Sequence, residues 1–147
     1  MTETIERILR SRGTDIWSVT PEATVYDAVA LMAEKEIGAL MVVERDQLVG
    51  VISERDYARK IILQGKHSRE THVHEIMSTE LVTVTPQHTV DECMRLMTEH
   101  RVRHLPVLDG GPLVGVVSIG DLVKAIIWEQ AHTIDQLQSY IGSGYPA

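Results

Sequence analysis

The chain has almost no cysteine and no long apolar run. Cys93 is the sole cysteine among 147 residues, which excludes an internal disulfide framework and fits a reducing compartment. No apolar run approaches the roughly 20 residues that span a bilayer. Residues 1–12 alternate acids and bases and lack the apolar stretch of a signal peptide. These absences predict a cytoplasmic protein that makes no membrane contact.

Positive charge is also scarce. The chain has 14 Lys and Arg against 21 Asp and Glu, so its formal net charge is −7. Because an acidic surface repels a phosphate backbone, a nucleic acid is not expected as a partner. Hydrophobic residues make up 44% and charged residues 24% of the chain, as in ordinary folded domains. The length suits one domain or two small ones.

An internal repeat organises the sequence. Shifted by 65 residues, the chain aligns with itself without a gap from Val19 to Ile62. The matched positions include Val19-Thr20-Pro21 with Val84-Thr85-Pro86, Leu48-Val49-Gly50-Val51 with Leu113-Val114-Gly115-Val116, Ser53 with Ser118, and Asp56 with Asp121. The chain is therefore predicted to contain two copies of one structural unit.

Each copy predicts a strand, a helix, two strands and a helix. Val25, Ala28, Val29 and Met32 have the spacing of an amphipathic helix, which the second copy repeats. Thr24 with Asp27, and Thr89 with Glu92, predict capping boxes where these helices begin. Residues 39–43 and 48–52 predict two strands joined at Arg45-Asp46; 104–108 and 113–117 are their counterparts, joined at Gly110-Gly111.

The predicted fold class is α+β, with two tandem β-α-β-β-α repeats packed about a pseudo-twofold axis and short flanking N- and C-terminal helices. Ile5, Ile8 and Leu9 predict the first flanking helix; Ile134, Leu137 and Ile141 predict the last, ended by Gly142. The predicted boundaries are 1–13 for the N-terminal helix, 14–66 for the first repeat, 67–72 for a linker, 73–130 for the second repeat and 131–147 for the C-terminal helix and tail.

The repeated motif resembles the CBS (cystathionine-β-synthase) domain. It reads Val49-Gly50-Val51-Ile52-Ser53-Glu54-Arg55-Asp56 and Val114-Gly115-Val116-Val117-Ser118-Ile119-Gly120-Asp121. Arg103-His104-Leu105-Pro106-Val107 is similar to a family strand, and His74-Glu75-Ile76-Met77 to the family's lead-in to a second repeat. The resemblance covers about residues 14–130. It implies a stand-alone tandem pair, or Bateman module, that senses adenosyl ligands and often dimerises into a flat disc.

The motif residues suit a nucleotide. A carboxylate can accept a hydrogen bond from each of two adjacent ribose hydroxyls, the role expected of Asp56 and Asp121. Ser53 and Ser118 each begin a helix, where free N–H groups can help to hold a sugar or phosphate. The resemblance assigns the adenine edge to residues 37–39 and 102–104. The expected ligand-binding residues are Ile37, Ala39, Ser53, Arg55, Asp56, Val102, Arg103, His104, Pro106, Val116, Ser118 and Asp121, with Arg59 and Arg101 as further phosphate contacts.

The two sites are predicted to be unequal. The first copy has Ala39-Leu40-Met41 where the second has His104-Leu105-Pro106, so it lacks a polar side chain near a phosphate. The second copy is expected to gather Asp121, Ser118, Arg103, His104 and Pro106 in one site. Asp121→Ala is therefore expected to weaken binding more than Asp56→Ala.

Simpler interpretations apply to the same residues. A single Ser-x-x-Asp is most often only a helix cap. His72 and His74 lie in the predicted linker without suitably spaced partners, so no metal site is expected. Cys93 lies on the buried stripe of a helix, where packing explains it without a nucleophilic role.

The sequence thus predicts a regulatory adenine-nucleotide-binding module that is not an enzyme, because no catalytic constellation is evident. No cofactor is required, and the expected ligand is AMP, ADP or ATP, with NAD or S-adenosylmethionine as alternatives. The expected partners are a second copy, in a homodimer formed by helices around Met32, Met97 and Ile126, and an effector protein. The alternative is a purely structural dimerisation or scaffold module with vestigial ligand sites.

Overall fold

The computed structural model describes residues 3–13 and 15–144. Its helices are α1 (Ile5–Arg12), α2 (Val25–Lys35), α3 (Glu54–Tyr57), α4 (Val90–His100) and α5 (Ile119–Gly144). A π-helical turn, Ala58–Ile62, continues α3, and Val73–Glu75 forms a 3-10 turn. The strands are β1 (Ser18–Val19), β2 (Ala39–Glu44), β3 (Gln47–Ser53), β4 (His104–Leu108) and β5 (Leu113–Ser118).

The two repeats have the same strand arrangement. In the first, β1 pairs in parallel with β2, and β2 pairs antiparallel with β3. In the second, β4 and β5 form the antiparallel pair, and an isolated parallel bridge from Val84 to Val107 replaces β1. Arg45 and Asp46 both have positive φ, 51° and 62°, which fits the predicted tight turn between β2 and β3. The α+β fold with two tandem repeats is confirmed.

The ends of α2 and α4 follow the repeat closely. Thr89 and Glu92 form a complete capping box, whereas Thr24 accepts only the bond from the Asp27 amide, at 3.1 Å. Each helix ends at a left-handed residue, Glu36 in the first copy and Arg101 in the second. Both residues therefore turn the chain sharply toward the strand that follows.

Each repeat's core is completed by the segment that precedes the other repeat. Ile5, Ile8 and Leu9 of α1 are buried in the second repeat's core, and the Ile5 amide donates to the His88 carbonyl at 2.9 Å. Val73 and Ile76 lie in the first repeat's core. The two cores are therefore assembled from segments that are not consecutive in the chain.

The C-terminal end differs from the prediction. The expected separate helix after residue 130 is the continuation of α5, which runs for 26 residues and does not end at Gly142. The sequence between Ile127 and Ile134 contains no glycine or proline, so nothing interrupts the intrahelical hydrogen bonds. The predicted tail beyond Gly144 lies outside the described residues.

Candidate functional site

A cleft of about 330 Å³ lies between the two repeats. The first repeat contributes the beginning of β2, the end of β3 and the first turn of α3. The second repeat contributes residues 101–104 and Pro106, and the connection after the 3-10 turn contributes Ser78 and residues 80–82. Eight of the expected ligand-binding residues line this cleft: Ala39, Ser53, Arg55, Asp56, Val102, Arg103, His104 and Pro106.

The Ser53 and Asp56 side chains form a complete capping box at the beginning of α3. The Ser53 amide and hydroxyl donate to Asp56 Oδ2 at 2.9 and 3.0 Å, and the Asp56 amide donates to Ser53 Oγ at 3.2 Å. Lys60 Nζ lies 3.1 Å from Asp56 Oδ1. A carboxylate has about four acceptor positions, so these contacts leave Asp56 about one. The two hydroxyls of a ribose can both donate hydrogen bonds to Asp56 only if Lys60 moves away from the carboxylate.

Three arginines line the cleft, and one of them connects the repeats. Arg55 Nη1 donates to the Arg101 carbonyl at 3.1 Å, so α3 of the first repeat is tied to the end of α4 in the second. Arg103 lines the same cleft. Arg59, also expected at a phosphate, is exposed on the π-helical turn outside the cleft lining. The guanidinium groups give the cleft donors that suit phosphate oxygens.

His104 meets the first repeat at Gly38. A Cβ on Gly38 would lie 3.5 Å from both His104 Cε1 and Glu54 Oε1, so the two repeats approach closely here. Burial lowers the pKa of His104; nearby Asp121 and Glu54 raise it, and Arg103 lowers it further. The net direction is downward, so the folded protein favours the neutral imidazole.

The second motif lies beside its own strand, because β4 and β5 pair His104 with Ser118, but it does not line this cleft. Ser118, Asp121 and Val116 lie outside the cleft lining, as does Ile37. The Ser118 amide donates to Asp121 Oδ2 at 2.8 Å, and Arg12 Nε lies 3.3 Å from Asp121 Oδ1. This cleft contains Arg103, His104 and Pro106 without Asp121 or Ser118, so the gathering of all five residues in one site stays a prediction. In the cleft, residues 102–104 and Pro106 share the lining with the first repeat, while α1 brings Arg12 to Asp121.

Several lining residues were missed by the sequence analysis. They are Val51, Glu54, Ser78, Glu80, Leu81 and Val82, whereas Gly38 falls within the residues assigned to the adenine edge. Val51 and Glu54 belong to the repeated motif itself, although no ligand contact was assigned to them. No sequence pattern marks residues 78–82 as lining residues. They reach the cleft only because the connection between the repeats passes beside it.

The histidines of the predicted linker and the single cysteine have partners within the chain. The His72 and His74 rings stack at 5.6 Å, and His72 Nδ1 lies 2.9 Å from the Glu22 carbonyl oxygen. Within residues 3–13 and 15–144, no group of three His, Cys, Asp or Glu side chains is placed to hold a metal ion. Cys93 is buried in the second core, and burial raises its pKa to about 11, which keeps the thiol protonated.

Comparison with known proteins identifies two matches to the CBS domain pattern, at residues 5–63 and 73–127. The mitochondrial CBS domain-containing protein CBSX3 of Arabidopsis thaliana is 44% identical, over 97% of this chain and 73% of its own. The CBS domain-containing protein YhcV of Bacillus subtilis is 39% identical, over 74% of this chain and 77% of its own. No helix in the described part of the chain is long and apolar enough to cross a membrane.

Solved structures agree with the architecture. A protein with CBS domains from Burkholderia ambifaria is 55% identical and superposes with a TM-score of 0.84, covering 86% of this chain and 96% of its own. The CBS domain protein NE2398 gives 43% identity and a TM-score of 0.82 over 85% of this chain and 98% of its own. Both similarities extend over both repeats.

Proposed function

The chain belongs to the CBS-domain family, and we propose that it is a regulatory module that binds an adenosine-containing ligand between its repeats and catalyses no reaction itself. The observation that carries the proposal is the 330 Å³ cleft, in which a motif aspartate, three arginines and a strand backbone converge from both repeats. Concave sites of this size with a few convergent polar groups are typical of small-molecule binding. Because both repeats contribute, an occupant would bridge them.

The cleft offers a partner for each part of a nucleotide. The Asp56 carboxylate suits ribose hydroxyls, because a carboxylate would repel a phosphate. Arg55, Arg101 and Arg103 suit phosphate oxygens, and the backbone of residues 102–104 suits the adenine edge. The three guanidinium groups also disfavour a cationic ligand such as S-adenosylmethionine. We therefore favour AMP, ADP or ATP, with NAD next, and no cofactor.

Relatives support this proposal at the level of the family. The CBS domain pair of protein MJ0100, which shares the fold at 21% identity and a TM-score of 0.78, was solved with 5′-methylthioadenosine and S-adenosyl-L-methionine. Inosine-5′-monophosphate dehydrogenase of Thermoplasma acidophilum is 26% identical over 96% of this chain, which matches only 28% of that enzyme. In that enzyme the similar part is thus a small share of a longer chain.

The expected setting and partners remain part of the proposal. A cytoplasmic location, a homodimer and an effector protein that responds to the ligand are all consistent with a regulatory module. Structural neighbours include a CBS-CP12 protein described as hexameric, at 26% identity. Oligomers larger than a dimer are therefore a realistic outcome of a sedimentation measurement.

The scaffold alternative is favoured by one observation. Both motif aspartates already have internal partners, Ser53 and Lys60 for Asp56, and Ser118 and Arg12 for Asp121. A scaffold would keep these contacts permanently, because they cap helices and hold segments together. A ligand-binding module must exchange at least one of them when the ligand enters.

Calorimetry with AMP, ATP and S-adenosylmethionine on the full chain tests the proposal. We expect saturable binding of a nucleotide, weakened about tenfold or more by Arg103→Ala, which removes a guanidinium from the cleft. Arg59→Ala is the matched control, because Arg59 is exposed outside the cleft lining, and it should bind like the wild type. Absence of binding to all three ligands would favour the scaffold. ATP turnover with Mg²⁺ above background would contradict a non-catalytic module.

A further inference from the structure

The second half of α5 has little packing of its own. Every residue from Ala131 to Ile141 is exposed, in contrast to the first turns of the helix, where Leu122 is fully buried. A helical segment of this length is only marginally stable in water unless an apolar face is packed. The segment nevertheless carries large apolar side chains, which calls for a partner surface.

Those side chains form a continuous seam, which we call the α5 seam. The seam consists of Val123, Ile127, Gln130, Ile134, Leu137 and Ile141, spaced alternately four and three residues apart. This is the a/d pattern of a heptad repeat, with isoleucine at the three a positions and Val123, Gln130 and Leu137 at d. Its apolar members are 40–61% exposed. The seam therefore has the period of a two-stranded coiled coil, and the described residues of its own chain leave it largely exposed.

The residues beside the seam indicate what covers it. Of the positions that would flank a coiled-coil interface, Lys124 is charged, and those from residue 126 onward carry no charge: Ile126, Ala131, Thr133, Gln138 and Tyr140. The charged Glu129 and Asp135 lie at outer heptad positions. In coiled coils, charges at the flanking positions select the partner. From residue 126 onward no flanking charge repels an identical helix, although the whole chain has a net charge of −7.

We propose that the α5 seam pairs with the α5 seam of a second copy of this chain as a parallel two-stranded coiled coil. Isoleucine at a together with leucine at d favours two parallel strands. A twofold axis then lets one uncharged surface contact its own copy. None of the seam residues lines the inter-repeat cleft, so a ligand bound there would not contact this interface.

Sedimentation equilibrium on the full chain tests the surface. Ile134→Asp places a charge at the central a position and should weaken self-association about tenfold or more. Gln136→Asp introduces the same charge two residues away, at an outer position, and should associate like the wild type. Gln130→Leu completes the apolar d row and should strengthen association. Equal weakening by both aspartate variants would overturn the proposal, as would no change in any variant.

Cross-linking tests the parallel register and excludes contacts made elsewhere by the repeats. In a parallel pair, the two copies of residue 141 lie side by side, so Ile141→Cys should form a disulfide-linked dimer on mild oxidation. The wild-type protein is the control and should form no disulfide-linked dimer, because its only cysteine, Cys93, is buried. A linked dimer that disappears when Ile134→Asp is added supports the seam. Failure of Ile141→Cys to cross-link at concentrations where the wild type associates would overturn it. Circular dichroism should show that each variant retains its fold, because residues 134 and 141 are exposed within one chain.

Discussion

The Arg12 guanidinium at the end of α1 lies against the Asp121 carboxylate at the beginning of α5, with Nε 3.3 Å from Oδ1. The same guanidinium donates to the Val116 carbonyl. Asp121 is the second-copy counterpart of Asp56, whose cation, Lys60, comes from its own helix. The two motif aspartates thus have equivalent caps but cations of different origin.

Removing Arg12 should change ligand stoichiometry. The ion pair occupies one Asp121 oxygen, so Arg12→Ala should make that carboxylate available to a second ribose. We expect calorimetry to give one nucleotide per chain for the wild type and an additional, weaker site for Arg12→Ala. Arg10→Ala is the control, because Arg10 pairs with Glu6 on the exposed side of α1 at 2.7 Å. Identical stoichiometry in all three proteins would show that Arg12 does not restrict Asp121.

The structure reverses the expected ranking of the aspartates. Asp56 lines the cleft together with Arg103 and His104, whereas Asp121 does not. Asp56→Ala should therefore weaken nucleotide binding about 10- to 150-fold, through lost charge-assisted hydrogen bonds, and Asp121→Ala should weaken it less. Each variant also loses a helix cap, which lowers the free energy of unfolding by about 1 kcal/mol. Calorimetry with melting curves of the ligand-free proteins checks both points. A larger binding loss in Asp121→Ala would restore the ranking from sequence.

The motif glycines should be sensitive to added volume. A Cβ on Gly50 would lie 2.6 Å from Met77 Sδ and 3.1 Å from the Ser78 carbonyl oxygen; on Gly115 it would lie 2.9 Å from both Cδ atoms of Leu9. Gly50→Ala should lower the free energy of unfolding by about 1–3 kcal/mol. Gly115→Ala should cost less, because the end of the Leu9 side chain can move. Urea unfolding measures both.

A double mutant separates this contact from a general effect of alanine. In a Leu9→Ala background the added methyl has room, so Gly115→Ala should be less destabilising there than in the wild type. Strictly additive changes in the free energy of unfolding would contradict the packing of α1 on the second repeat.

His104 should make stability depend on pH. Because burial lowers its pKa in the folded state, protonation favours the unfolded chain. The stabilising contribution is therefore complete above the unfolded pKa of about 6.5 and declines as the pH falls below it. The melting temperature of the wild type should fall more between pH 7.5 and pH 5.5 than that of His104→Gln, because the glutamine cannot take up the proton. Equal falls in the two proteins would show that other groups cause the pH dependence.

Local sequence patterns were sufficient for the architecture. The 65-residue shift predicted the two copies, and the structure reproduces it in fine detail: the strand-register irregularities after Val42 and Val107 correspond, as do the left-handed Glu36 and Arg101. Hydrophobic periodicity identified the helices because it depends only on neighbours along one element. The Ser53–Asp56 helix cap could be predicted for the same reason, since both residues lie within one helical turn.

Tertiary packing decided how these elements combine into a site. Residues 102–104 line the same cleft as Asp56 of the other repeat. Arg12 reaches Asp121 because α1, which precedes the first repeat, packs on the second repeat. Neither arrangement can be recognised from neighbouring residues in the sequence. A 65-residue repeat is equally consistent with two units that each pack on themselves. The buried Ile5, Ile8 and Leu9 of α1, and Val73 and Ile76 between the repeats, complete the opposite cores. The burial of these apolar side chains depends on residues that are distant in the sequence. It fixes how the two repeats are oriented and therefore which residues of each repeat face the cleft.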